Sequence, residues 1–184
     1  MNSDFLYILS ILTVLGAVLL IIIGGLYLFS LFSKAAKKRY EWFVKLIKPR
    51  LLLFSFLLVL ISFVGSMYSS EVAGLEPCRL CWYQRMAMFP LVIIFLTALI
   101  RRDNKVFRYS LPLSMVGVLF AGYQYYLQLT FNPLSPCVVG GLVSCTEKYI
   151  FYFGFVTIPF MSLIAFLYLT VFGLISLKRK NKSS

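Results

Sequence analysis

Apolar residues in this chain come in long unbroken runs rather than in alternating or half-faced patterns. Five of these runs reach or approach the roughly 20 residues that cross a bilayer as a helix: Phe5 to Phe32, Leu51 to Ser70, Trp82 to Ile100, Tyr109 to Leu129 and Phe155 to Leu177. They are apolar on every side, so a period of two, and with it a β-barrel, is excluded. The pattern predicts an all-α integral membrane protein: a four-helix transmembrane bundle over residues 51–177 with one additional N-terminal transmembrane helix. Residues 1–50 hold that extra helix and a basic cytoplasmic loop, and residues 178–184 form a basic cytoplasmic tail. Pro159 falls inside the fifth run, where membrane helices re-satisfy a freed carbonyl by other means. Gly117 and Ala121 make a small-x-x-x-small pair in the fourth, read as ordinary helix packing. The first run lacks a basic start and a small-residue cleavage site, so it is expected to persist as a span rather than act as a cleavable signal.

Composition agrees, because at 61% hydrophobic residues the chain has far more apolar surface than a water-soluble fold of this size can bury. The net charge of +12 is arranged by topology rather than as a nucleic-acid-binding patch. Lys34, Lys37, Lys38, Arg39, Lys45, Lys48 and Arg50 lie between runs one and two; Arg101, Arg102, Lys105 and Arg108 lie between runs three and four; Lys178, Arg179, Lys180 and Lys182 follow run five. The opposite side carries Arg79, Arg85 and Lys148 against Asp4, Glu71, Glu76 and Glu147. The positive-inside rule then places the N-terminus outside and the C-terminus in the cytoplasm of a multi-pass cell-membrane protein in contact with membrane lipid. Asn181-Lys182-Ser183 is a sequon on the wrong side and is discarded. The Lys34 to Arg50 segment reads as a basic connecting loop with interfacial aromatics in preference to a short amphipathic helix. The outer loop from Thr130 to Phe153, with Pro133, Pro136 and Gly140-Gly141, is expected to be mobile.

Four cysteines, Cys78, Cys81, Cys137 and Cys145, all fall on the outer side, where disulfides form and persist. Cys78 and Cys81 form a C-x-x-C after Pro77, at the opening of a helix. There they are close enough to be bridged, and the positive end of the helix dipole favours a thiolate on Cys81. A structural disulfide or half of a four-cysteine zinc site are the alternatives, the latter disfavoured by the spacing of the second pair. Arg85 lies one helical turn below Cys81. Snorkelling to the headgroups would explain it, and so would a fixed cation facing an electron acceptor held between helices. Gln84 is a weaker candidate hydrogen-bond donor. The absence of histidine removes the usual haem ligand and no dinucleotide fingerprint is present, which leaves a lipid-soluble quinone as the acceptor that fits the location.

The segments Pro77-Cys78-Arg79-Leu80-Cys81-Trp82-Tyr83-Gln84-Arg85, Pro133-Leu134-Ser135-Pro136-Cys137, Ser144-Cys145-Thr146-Glu147 and Phe153-Gly154-Phe155-Val156-Thr157-Ile158-Pro159 together resemble the DsbB/BdbC family. The short spacing of Cys137 and Cys145 is similar to its Bacillus-type branch. The resemblance spans about Leu51 to Leu177 and implies a membrane thiol:quinone oxidoreductase. Such an enzyme reoxidises an extracytoplasmic thioredoxin-like thiol oxidase of the DsbA/BdbD type and reduces menaquinone or ubiquinone, with no metal. It further implies that Cys78 and Cys81 are the quinone-linked pair and that Arg85 helps to bind the quinone. Cys137 is then the residue that joins the partner, and Cys145 the one that resolves toward the first pair. A vitamin K epoxide reductase-type enzyme and a non-enzymatic scaffold with structural disulfides are the rival readings.

Overall fold

The computed structural model describes residues 3–32, 38–39, 42, 44, 46–103, 105–130 and 152–178; Cys137, Cys145 and the Gly140-Gly141 loop lie outside them. Five helices account for most of it: α1 (Ser3–Phe32), α2 (Leu51–Met67), α3 (Arg79–Arg101), α4 (Val106–Thr130) and α5 (Ile158–Lys178). A 3-10 turn, Lys48–Arg50, leads into α2, and a π turn, Tyr68–Val72, extends it. All five spans are long and apolar enough to cross a membrane. Among the described residues there is no strand, only an isolated bridge between Tyr152 and Val156. The all-α membrane fold expected from the hydrophobic runs is therefore the one observed.

Helix ends follow local chemistry. Pro77 precedes α3, and Cys78 at its N-cap is extended (φ −69°, ψ 172°), with its carbonyl accepting the Trp82 N–H at 3.1 Å. At the other end Arg102 turns left-handed (φ 52°), and the Asp103 carboxylate accepts the Lys105 N–H at 2.8 Å, closing a tight turn into α4. The last span begins at Ile158 rather than Phe155. Phe153 (φ 54°) and Gly154 (φ 77°) form a left-handed turn, closed by the Val156 N–H on the Tyr152 carbonyl at 2.9 Å. Pro159 thus stands in the first turn of α5, where its missing N–H has no intrahelical partner to lose, so no carbonyl needs re-satisfying on its account.

Helices α2 to α5 close into a ring in chain order: α3 packs on α2 and α4, α4 on α5, and the α2–α5 seam is the least extensive. One end of the ring is a dry core built around Val59, Leu91, Phe95, Phe107, Phe166 and Leu169. The pair Gly117 and Ala121 packs as expected: both are buried, and a Cβ at Gly117 would overlap the Phe166 ring, so α4 and α5 can approach closely only because that carbon is missing. Helix α1 lies outside the ring against α5. There the Tyr168 hydroxyl donates to the Gly16 carbonyl at 2.7 Å, and Leu9 meets Gly65 of α2. Between α1 and α2 the favoured loop reading is corrected: Lys38, Arg39, Trp42, Val44, Leu46 and Ile47 are helical. Trp42 and Leu46 are exposed, while Ile47 packs on the core and Val44 lines an apolar cleft with Ile23 and Tyr168. Tertiary burial of that apolar edge is what a scan for basic residues leaves out.

Candidate active site

At the opposite end of the bundle from the dry core, Cys78 and Cys81 open α3 as free thiols. They form a small cluster with Leu80, Leu127 and Phe120. Cys78 is buried, and its thiol donates to the Cys81 sulfur at 3.4 Å. That hydrogen bond first, and burial second, push the Cys78 thiol well above its ordinary pKa, so Cys78 is the proton-bearing member of the pair. Cys81 sits in the first turn of α3, where unpaired backbone N–H groups favour negative charge.

Both sulfurs face a side chain that sequence reasoning missed. The Gln124 carboxamide of α4 directs its Nε2 to Cys78 Sγ and to Cys81 Sγ, at 3.2 Å each. Its Oε1 accepts the Gln84 Nε2 at 2.5 Å. The Gln84 Oε1 in turn accepts the hydroxyl of Ser162 on α5, whose oxygen also lies 3.0 Å from the Pro159 carbonyl. A line of hydrogen bonds therefore runs from α5 through α3 and α4 to the two sulfurs. Gln84 and Gln124 are only 7% and 2% exposed, so water does not compete for these bonds. Gln124 did leave a trace in the sequence. Gly117, Ala121, Gln124 and Gln128 follow a 4-3-4 spacing, one helix face, and all four are buried. An amide in a membrane span is costly unless it is paired, which makes it a pointer to a built site.

Gln84 and Arg85 are neighbours in sequence but diverge in space. Gln84 points into the bundle, while Arg85 turns to α2, where its Nε donates to Ser66 Oγ at 2.9 Å and its Nη2 to the Ser66 carbonyl at 2.8 Å. Its guanidinium carbon stands 5.6 Å from the Trp82 ring centroid. Arg85 is therefore fixed by the end of α2 rather than extended freely toward a headgroup. Of its five N–H groups two are spent on Ser66, and the others remain for a ligand. Arg85 is partly exposed and Trp82 is exposed, one turn or less from Cys81, so the bundle presents donors, an aromatic face and a thiol along one edge. These are the groups that a flat, apolar acceptor with carbonyl oxygens requires, and the residues present fit a quinone.

Comparison with known proteins gives a consistent result. The family profile DsbB, described as disulfide bond formation protein DsbB, matches residues 48–176, so α1 lies outside the matched region. Disulfide bond formation protein C of Bacillus subtilis is 43% identical over 121 residues, 64% of this chain and 86% of the relative. The probable disulfide formation protein C of Halalkalibacterium halodurans is 41% identical over 130 residues, covering 71% of this chain and 95% of the relative. A probable disulfide formation protein of Coxiella burnetii is 40% identical over 132 residues, 70% and 88% of the two chains. No solved structure matches the chain.

Proposed function

The chain belongs to the DsbB family of disulfide bond formation proteins, and from that premise we propose that it is a thiol:quinone oxidoreductase serving an extracytoplasmic thioredoxin-like thiol oxidase. The observation that carries this reading is the dithiol itself. Cys78 and Cys81 are free and adjacent, hydrogen-bonded by Gln124, and placed one turn from a guanidinium anchored at the bundle edge. A structural disulfide would need neither the amide nor the fixed cation.

In the proposed cycle a thiolate of the reduced partner attacks Cys137 in a Cys137–Cys145 disulfide. A mixed disulfide forms and Cys145 leaves as a thiolate; the partner's second thiol then releases the oxidised partner and the Cys137 thiol. The Cys137/Cys145 dithiol reduces the Cys78–Cys81 disulfide by the same two exchanges, leaving Cys81 as thiolate and Cys78 as thiol. Held beside Cys81, a quinone would supply the two-electron acceptor as that disulfide re-forms, Cys78 giving up its one proton and solvent providing the second that the quinol needs. Arg85 holds an acceptor oxygen, Trp82 supplies an aromatic wall, and Cys78 retains the proton until the pair is oxidised. Energetics require an acceptor of this kind: a DsbA-type oxidase lies near −120 mV, and each 30 mV uphill costs about 1.4 kcal/mol for the two-electron couple. The direct test mixes the purified protein with a reduced thioredoxin-like oxidase and a soluble quinone, and follows quinone absorbance. Oxidation of the partner without quinone loss would remove quinone from the scheme.

Arg85→Lys distinguishes a quinone ligand from a snorkelling side chain. Lysine keeps the charge and still reaches the interface, but it cannot span Ser66 and a ligand together with planar donors. The expected result is a KM for quinone raised roughly tenfold, equivalent to about 1.4 kcal/mol, with thiol exchange toward the partner unchanged. Ser66→Ala, which removes one of the two anchors, is expected to raise KM less. An unchanged KM in both would return Arg85 to an interfacial role.

Orientation and the part played by α1 form a further expectation. With the basic segments cytoplasmic, an impermeant thiol reagent applied to reduced intact cells labels the cysteines from outside. A chain beginning near Lys34 keeps thiol:quinone activity, since no residue of α1 contributes to the Cys78–Gln124–Arg85 arrangement. Labelling only after membrane disruption would invert the topology, and loss of activity in an inserted, folded truncation would make α1 part of the site.

A further inference from the structure

The hydrogen bonds converging on Cys78 and Cys81 favour one oxidation state over the other. A carboxamide N–H is a good donor to an electron-rich thiolate and a poor one to a disulfide sulfur, whose lone pairs carry no charge. Gln124 offers its Nε2 to both sulfurs at 3.2 Å from a position 2% exposed, with Cys78 6% exposed, so little water is present to substitute for it. Its own orientation is set from behind. Gln84 Nε2 fixes the Gln124 oxygen, which also stands 3.6 Å from Cys81 Sγ, and the Ser162 hydroxyl fixes the Gln84 oxygen, so the Gln124 amide keeps its N–H side on the two sulfurs. Three helices each contribute one member, which ties the geometry of the pair to the packing of α3, α4 and α5.

We propose that Gln124 is a catalytic residue that stabilises the reduced, thiolate form of the Cys78/Cys81 pair, with Gln84 and Ser162 as the positioning residues that aim it. The pair is thereby made more oxidising than a bare C-x-x-C at a helix start, because stabilising the reduced state raises the reduction potential. This gives Gln84 an assignment different from direct contact with the acceptor: its amide serves Gln124. The inference rests on Cys78/Cys81 being the redox pair, as proposed above, and deepens that reading by naming what sets the potential of the pair.

The test is a redox equilibrium in full-length protein carrying Cys137→Ser and Cys145→Ser, so that only Cys78/Cys81 exchanges. The fraction oxidised is measured against dithiothreitol mixtures without any quinone. Gln124→Leu removes the donor, and Gln124→Glu keeps the shape and the acceptor for Gln84 while removing the two N–H groups. Both are expected to shift the equilibrium at least about tenfold toward the disulfide, which is about 30 mV more reducing. Ser162→Ala, farther from the sulfurs and harmless to helix α5, is expected to shift it in the same direction by about two- to threefold. Alkylation of the reduced pair at neutral pH is expected to slow in the same order, since less thiolate is present. An equilibrium equal to the parent's in folded Gln124→Leu and Gln124→Glu would overturn the proposal. So would a Ser162→Ala shift toward the dithiol, even if the Gln124 variants fail to fold. Failure of the underlying reading looks different: the parent pair would not exchange with dithiothreitol at all, or wild-type protein would not reduce quinone, whatever the Gln124 variants do.

Discussion

Cys81→Ser is expected to lower quinone reduction by about a thousandfold or more, which corresponds to over 4 kcal/mol of activation free energy. The size follows from connectivity rather than from a lost contact. A serine hydroxyl neither ionises near neutral pH nor forms a disulfide, and among the described residues no other thiol stands beside Arg85. Cys78→Ser should be as damaging to turnover, but for a different reason. It leaves a reactive Cys81 that can be attacked once and cannot be regenerated, so alkylation of Cys81 should persist in that variant. The measurement is single-turnover quinone absorbance alongside mass-spectrometric alkylation of purified protein. Retained quinone reduction in Cys81→Ser would mean that electrons leave by another route and that the site is wrongly assigned.

The second large effect concerns the other pair. Cys137→Ser is expected to abolish any covalent complex with the partner oxidase, whereas Cys145→Ser is expected to accumulate one with oxidised partner: the Cys137 thiolate opens the partner's disulfide, and no Cys145 thiol is there to displace the partner and close the loop disulfide. Non-reducing electrophoresis after mixing with oxidised partner reads both outcomes. Accumulation in Cys137→Ser and not in Cys145→Ser would exchange the two roles.

Much of the architecture was legible in advance because a membrane imposes one strong rule: a backbone in hydrocarbon must satisfy its own hydrogen bonds, so long apolar runs become helices. The five runs, the C-x-x-C at the start of α3 and the spacing of Arg85 from Cys81 all follow from that rule and from helix periodicity. Boundaries fared less well where backbone dihedrals decided them. Nothing in the apolarity of Phe153 and Phe155 marks Phe153 as left-handed, and the start of α5 moved to Ile158 accordingly. The helical residues between Lys38 and Ile47 were likewise obscured by their charges, since what holds Ile47 in place is burial against the bundle.

By itself, then, the sequence determined the class of fold, the disulfide-formation family and the place of a C-x-x-C at the start of α3, because each depends on residues near one another along the chain. Only the tertiary structure decided what surrounds those sulfurs. Gln124 reaches Cys81 across 43 positions, Ser162 reaches Gln84 across 78, and Ser66 meets Arg85 across 19. Local propensity carries no information about such separations. They are set by how helices seat on one another, here by a missing Cβ at Gly117 that lets Phe166 of α5 approach α4. A buried amide is marginal on its own helix and becomes an electrostatic instrument only when the neighbouring helices present the partners that fix its direction.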